Sequence, residues 1–189
     1  MADTRDKLMD LAEELLQTVG YNAFSFHDLA DRIGIKTASI HYYFPTKTDL
    51  GVAVTSRYRE RFQEKLKQIT ESHDDPMQQL TLCMGLFRQT LATGRRVCLC
   101  GMLSSDIESI PKELQAEVRK FFDDLEEWIA KVLRRAQRQQ LIKLRESPDA
   151  TSIAIVATLE GAMLTARTHR SADRFQAACD WIISSLVQR

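Results

Sequence analysis

The stretch from Ser25 to Lys47, SFHDLADRIGIKTASIHYYFPTK, constrains the chain more than any other. Its spacing predicts two short helices joined by a tight glycine turn. Ser25 is a strong N-cap residue, and Asp28 three positions later completes a capping-box pattern. Leu29, Ala30 and Ile33 then mark one apolar face. Gly34 supplies the left-handed conformation that ends a helix at no steric cost. A second helix starts near Thr37, turns Ile40 and Phe44 inward and stops at Pro45. Its other face carries Lys36, Thr37, Ser39, His41, Tyr42 and Tyr43. This is a helix-turn-helix, whose second helix enters the DNA major groove. A plain helical hairpin with a polar face has the same spacing, so the pattern leaves both readings open.

Charge supports DNA binding only locally. Between Arg32 and Thr48 there are three bases and no acid, whereas residues 1–50 carry five bases against eight acids, a net of −3. Binding by bulk positive charge is therefore not expected; the cations sit where a recognition helix places them.

The segment from Leu8 to Leu50, LMDLAEELLQTVGYNAFSFHDLADRIGIKTASIHYYFPTKTDL, resembles the N-terminal domain of the TetR family of bacterial transcriptional regulators. The matching features are a first helix ending in Val19-Gly20-Tyr21, the Ser25-x-x-Asp28-Leu29-Ala30 opening, Ile33-Gly34-Ile35, and the Tyr43-Phe44-x-x-Lys47-x-x-Leu50 close. The resemblance implies an all-α protein of about nine helices. Residues 1–47 would form the DNA-binding domain and residues 48–189 a ligand-binding and dimerisation domain. It implies a repressor that binds a palindromic operator as a homodimer and is released by a small-molecule effector.

Residue chemistry sorts the DNA face. Ser25, Thr37, Tyr43 and Lys47 are suited to phosphates; Lys36, Thr37, Ala38 and His41 are placed for base edges, with Ser39 and Tyr42 beside them. Tyr43 is also readable as a partly buried packing residue.

Periodicity extends the helical reading through the chain. The first helix is expected over Thr4 to Val19, with Leu8, Leu11, Ala12, Leu15, Leu16 and Val19 inward. Thr46 and Asp49 cap a long helix from Lys47 to about Thr70. Asp75-Pro76 opens another, ended by Gly94-Arg95-Arg96. Arg95 to Ile107 reads as a short helix, and the longest follows, from Ser109-Pro111 to about Gln139. The last two, about 148–170 and 172–188, are apolar over a wide arc, which calls for two contacts, the protomer's own core and another partner. In the family, helices in this position pair with their twins across a two-fold axis.

For the effector, Met84, Phe87, Met102, Phe121, Phe122, Leu125, Trp128 and Met163 are candidates for the apolar lining of a C-terminal pocket, although a Met-plus-aromatic stripe at helical spacing is more often plain core. Cys98 and Cys100, just after Arg95-Arg96, suggest a thiol sensor of oxidants or electrophiles, since a nearby cation lowers a thiol's pKa; the same cysteines are readable as small buried hydrophobes. A further alternative is a DNA-bound adaptor that docks a protein partner and takes no small ligand.

Other classes find no pattern. There is no Gly-rich phosphate loop, HExxH or GxSxG, so no enzyme or cofactor is expected, and the four histidines form no metal-ligand spacing with the cysteines. MADTRDKLMD has no apolar run of a signal peptide, no stretch reaches membrane-spanning length, and the four cysteines read as reduced thiols. A cytoplasmic location is the expectation.

Overall fold

The computed structural model describes residues 4–94 and 96–187, so Arg95 and Gln188, which the sequence reading used at two helix ends, lie outside the described residues. Nine α-helices and one 3-10 turn make up the secondary structure among the described residues. They run α1 Thr4–Thr18, α2 Phe26–Ile33, α3 Thr37–Tyr43, α4 Lys47–Ser72, α5 Pro76–Ala92, α6 Leu99–Ser105, α7 Lys112–Arg138, α8 Pro148–His169 and α9 Ala172–Leu186. Start signals in the sequence act as expected. Asp75 and Ser147 accept from backbone N–H groups at the openings of α5 and α8, each with proline in the first turn. Thr46 and Asp49 cap α4 reciprocally, Thr46 N–H to Asp49 Oδ2 at 2.9 Å and Asp49 N–H to Thr46 Oγ1 at 3.1 Å.

Two expectations need correction. Val19 is not an inward residue: α1 ends at Thr18, and Val19 is 49% exposed in the turn that follows. The short helix α6 begins only at Leu99; Arg96, Val97 and Cys98 are non-helical and lead into it.

The chain divides into two compact units. The first holds residues up to Glu60 together with Leu99–Phe121. Here α1 packs on α2 and α6, and α2 packs on α3. Leu8, Leu16, Leu29, Ile40, Leu50, Leu103 and Leu114 are almost completely buried. Arg57 on α4 clamps α1 through Asp10 (2.8 Å) and Glu13 (3.4 Å).

The second unit holds Arg61–Cys98 and the residues from Phe122 onward. In it α8 and α9 form an antiparallel pair that packs on α5 around Leu80, Phe87, Leu159, Met163 and Phe175. The opposite side of this pair is apolar and uncovered. Ile153 is 54% exposed, Leu164 39% and Trp181 64%, with Ala154, Ala157 and Gly161 exposed on α8 between them. No helix among the described residues is long and apolar enough to cross a membrane.

Candidate nucleic-acid interface

Local rules build the turn between α2 and α3. Ser25 accepts from the Asp28 N–H, and Asp28 Oδ2 accepts from the Ser25 N–H at 2.7 Å. The Ser25 hydroxyl also donates to that oxygen at 2.7 Å, and these bonds hold the Asp28 carboxyl below its usual range. Gly34 stands at φ 76°, ψ 38°, and its N–H closes α2 on the Ala30 carbonyl at 2.9 Å. Ile40 and Phe44 are buried, which fixes the rotation of α3 about its own axis.

That rotation decides which side chains face outward. Lys36, Ala38, Ser39, His41 and Tyr42 are exposed, Tyr42 at 83%, while Thr37 and Tyr43 are half-buried. Tyr42 and Tyr43 meet edge-to-face with ring centroids 5.1 Å apart. His41 is held from two sides. Its ring stands edge-on to Phe26 at 5.1 Å, and its Nδ1 lies 3.0 Å from the Pro45 carbonyl. A bond to a carbonyl requires the proton on Nδ1, so in the neutral ring Nε2 points outward as an acceptor. Ser25, although exposed, has its hydroxyl proton committed to Asp28.

Lys47, expected at a phosphate, is engaged with the protein's own backbone. It is half-buried, and its ammonium donates to the Tyr21 and Phe24 carbonyls while lying 4.5 Å and 4.4 Å from the centroids of their rings. Burial holds its pKa below that of a free lysine, against a smaller opposite pull from Asp28. Two of its three donors thus serve the protein's own backbone. Arg5 likewise lies over the Phe44 ring, 5.4 Å from its centroid.

The eight residues proposed to line a pocket fall in both units. Met102 and Phe121 belong to the first: a Cβ at Gly20 would lie 3.7 Å from the end of Met102, and the Phe121 ring meets that of Tyr58 at a tilt, centroids 5.6 Å apart. Met84, Phe87, Phe122, Leu125, Trp128 and Met163 belong to the second. Phe87 meets Phe62 edge-to-face at 5.6 Å. Trp128 donates through Nε1 to Thr70 Oγ1 at 3.0 Å and borders a cleft of about 360 Å³ with the basic end of α7. Much of that basic end is partnered: Lys131 with Glu127, Arg134 with Asp149, and Arg135 with the Asp74 carbonyl.

Cys98 and Cys100 are 1% and 0% exposed. A neighbour of Cys98 is the carboxyl of Glu160 on α8, to which its thiol hydrogen-bonds. Burial pushes the Cys83 thiol up to about 12 and that of Cys179 up to about 11.

Comparison with known proteins bears on both units. Residues 8–54 match the family model for bacterial regulatory proteins of the tetR family. Residues 76–180 match that of the LmrA/YxaF-like transcriptional regulator C-terminal domain. The transcriptional regulator AcuR of Cereibacter sphaeroides is 26% identical over 157 residues, 82% of this chain and 72% of the relative. A TetR transcriptional regulator from Legionella pneumophila superposes with a TM-score of 0.91 at 32% identity, covering 98% of each chain. A TetR-family regulator from Agrobacterium tumefaciens superposes with a TM-score of 0.93 at 31% identity, covering 97% of each.

Proposed function

The chain belongs to the tetR family of bacterial regulatory proteins, and on that premise we propose that it is a repressor that grips a palindromic operator as a homodimer and lets go when a small molecule occupies its C-terminal unit. The carrying observation is α3 itself. Buried Ile40 and Phe44 pin its inner side, so Lys36, Ala38, Ser39, His41 and Tyr42 are offered together as one outward surface. Lys36 suits guanine O6/N7, Ala38 a thymine methyl, and the outward Nε2 of His41 an amino group of adenine or cytosine. Tyr43 and Thr37 serve phosphates. Lys47 supports them by fixing the Tyr21–Phe24 segment that precedes Ser25. The functional boundary lies near residue 47, with the effector and dimer functions beyond it.

The exposed apolar side of α8 and α9 supports the dimer reading. Ile153, Leu164 and Trp181 leave apolar surface in water unless a second copy covers it. An isologous pairing sets two copies of α3 on successive half-sites. For the effector we retain Met84, Phe87, Phe122, Leu125, Trp128 and Met163, which share one unit. A cytoplasmic site of action follows from the DNA partner.

The test is fluorescence anisotropy on DNA upstream of the chain's own gene. Wild type should bind one palindromic segment saturably, and His41→Ala and Tyr42→Ala should each weaken binding tenfold or more while leaving the fold intact. Unchanged affinity in both variants would sink the assignment of this face. A thermal-shift screen that finds a stabiliser which also releases the DNA would identify the effector.

A further inference from the structure

Between the last turns of α7, the end of α4 and the start of α5, the second unit holds a cleft of about 360 Å³, at the lower end of the size range of small-molecule sites. From α7 it is lined by Trp128, Lys131, Val132, Arg134, Arg135 and Arg138. Trp128, Val132 and Arg135 follow one another at helical spacing, with Lys131 and Arg138 on the adjoining stripe. An aromatic ring and the buried Val132 at one end thus give way to guanidinium groups at the other. None of the lining residues is acidic, in a chain whose basic and acidic residues are equal in number. None belongs to α8 or α9, whose uncovered side is assigned to the second copy.

The four cations differ in what holds them. Lys131 pairs with Glu127 at 2.7 Å and Arg134 with Asp149, both carboxylates outside the cleft lining. Arg135 is held by neutral acceptors: it donates to the Asp74 carbonyl at 2.8 Å and to Gln79 Oε1 at 3.2 Å. Gln79 is completely buried, and its Nε2 is in turn committed to the His73 carbonyl, so the guanidinium is anchored by a group that cannot itself move freely. Its charge is oriented without being neutralised. Arg138, exposed in the last turn of α7, has no ion-pair or hydrogen-bond partner among the described residues. The C-terminus of a helix supplies roughly half a negative elementary charge. Against two guanidinium groups that leaves positive charge at this end of the cleft. Trp128 is fixed as well: Nε1, the only polar atom of the indole, donates to Thr70 Oγ1 at 3.0 Å, which leaves the ring as apolar wall.

We propose that this cleft binds an aromatic carboxylate, its ring packed on the Trp128 indole and Val132 and its carboxylate held by Arg135 and Arg138. Two of the five donors of Arg135 serve Asp74 and Gln79, which leaves three for a ligand. A guanidinium already fixed in place suits a carboxylate bidentately and loses little freedom on binding. Seven residues of α7 separate Trp128 from Arg135, about 10 Å of axial rise, so a short linker between ring and carboxylate is required. The proposal shares only Trp128 with the effector set above and goes beyond that reading, because binding here is defined without reference to DNA release.

The probes are naphthylpropionate, its uncharged amide, naphthylpropylamine and octanoate, each titrated into the full chain by calorimetry. The expected result is one saturable site per protomer for the aryl acid. The amide and the amine keep the ring without the negative charge, octanoate keeps the charge without the ring, and each should bind at least tenfold more weakly. Arg138→Gln removes a side chain without a partner in the fold and should weaken the aryl acid tenfold or more, with Arg138→Lys restoring part of the loss. Trp128→Leu should weaken it to a similar extent. Lys143→Gln, at an exposed lysine beyond α7 that does not line the cleft, should leave the affinity unchanged. Affinity in the wild type should also fall as salt is raised, a readout that needs no variant. The proposal would be overturned by no saturable binding of the aryl acid or by equal binding of the amide, the amine or octanoate. Unchanged affinity in both Arg138→Gln and Trp128→Leu, or an equal loss in Lys143→Gln, would overturn it too. Operator affinity measured with the same acid tests the effector reading separately: binding that leaves it unchanged upholds this site and counts only against an effector role for it.

Discussion

Glu160 offers the sharpest test of the second unit. It lies on α8 between Val156 and Met163, one turn either way on the inward stripe, and both of these neighbours are buried. Its Oε1 is buried with no hydrogen-bond partner among the described residues, and burial pushes the carboxyl from 4.5 up to about 7, against a smaller opposite pull from the Cys98 thiol. A carboxyl whose folded pKa is raised favours folding only while protonated. Its advantage is complete below the unfolded value and is lost as pH rises through the folded one. Between pH 4.5 and about 7 the native chain therefore loses stability, by about 3 kcal/mol per protomer when the group is fully ionised. Glu160→Gln keeps the shape of the neutral acid and cannot ionise. Urea unfolding at fixed protomer concentration should give nearly equal stabilities for wild type and variant at pH 5, and a variant about 3 kcal/mol more stable at pH 8.5. A gap that does not change with pH, or a variant that is weaker at pH 8.5, would refute the reasoning, because it would mean that the ionised carboxylate is satisfied inside the fold.

Four further outcomes are expected. A Cβ at Gly161 would meet nothing within 4 Å among the described residues beyond its own stretch of helix, so Gly161→Phe should leave the protomer folded but convert dimer to monomer in sedimentation velocity; an unchanged dimer would move the interface elsewhere. Lys47→Met should destabilise the first unit by about 1–3 kcal/mol, read by hydrogen exchange of α2 and α3, since two carbonyls and two ring faces lose their cation. Iodoacetamide at pH 8 should label none of the four buried cysteines until urea is added, and rapid labelling of Cys98 or Cys100 in the folded chain would restore the thiol-sensor reading. Operator binding should depend only modestly on salt, with a log–log slope of about −4 to −5 for two half-sites, because Lys47 and Arg5 are engaged with the protein's own rings; a slope near −10 would mean many more phosphate contacts.

What the sequence made legible follows the range of the interactions involved. The Ser25–Asp28 box, the left-handed Gly34 and the stop at Pro45 act over three or four residues, and all three appear as read. The inward pair Ile40 and Phe44 follows from helical period alone. Lys47 was not legible, because its partners come from the 3-10 turn beside Tyr21 and from Phe24, more than twenty residues earlier, and a lysine at a helix start ordinarily points to water.

The same limit explains the second half of the chain. Periodicity identifies Met102 and Phe121 as apolar-face residues but says nothing about which core receives them, and both join the unit built around α1 and α2. Glu160 is the converse case. Its position between Val156 and Met163 breaks the apolar stripe of α8, and a charge on an inward stripe is a pattern the sequence does display. Its burial, not its residue type, turns that break into a titrating group. Local rules thus prescribe the DNA-facing unit closely, whereas the chemistry of the regulatory unit depends on pairings that only the folded chain creates.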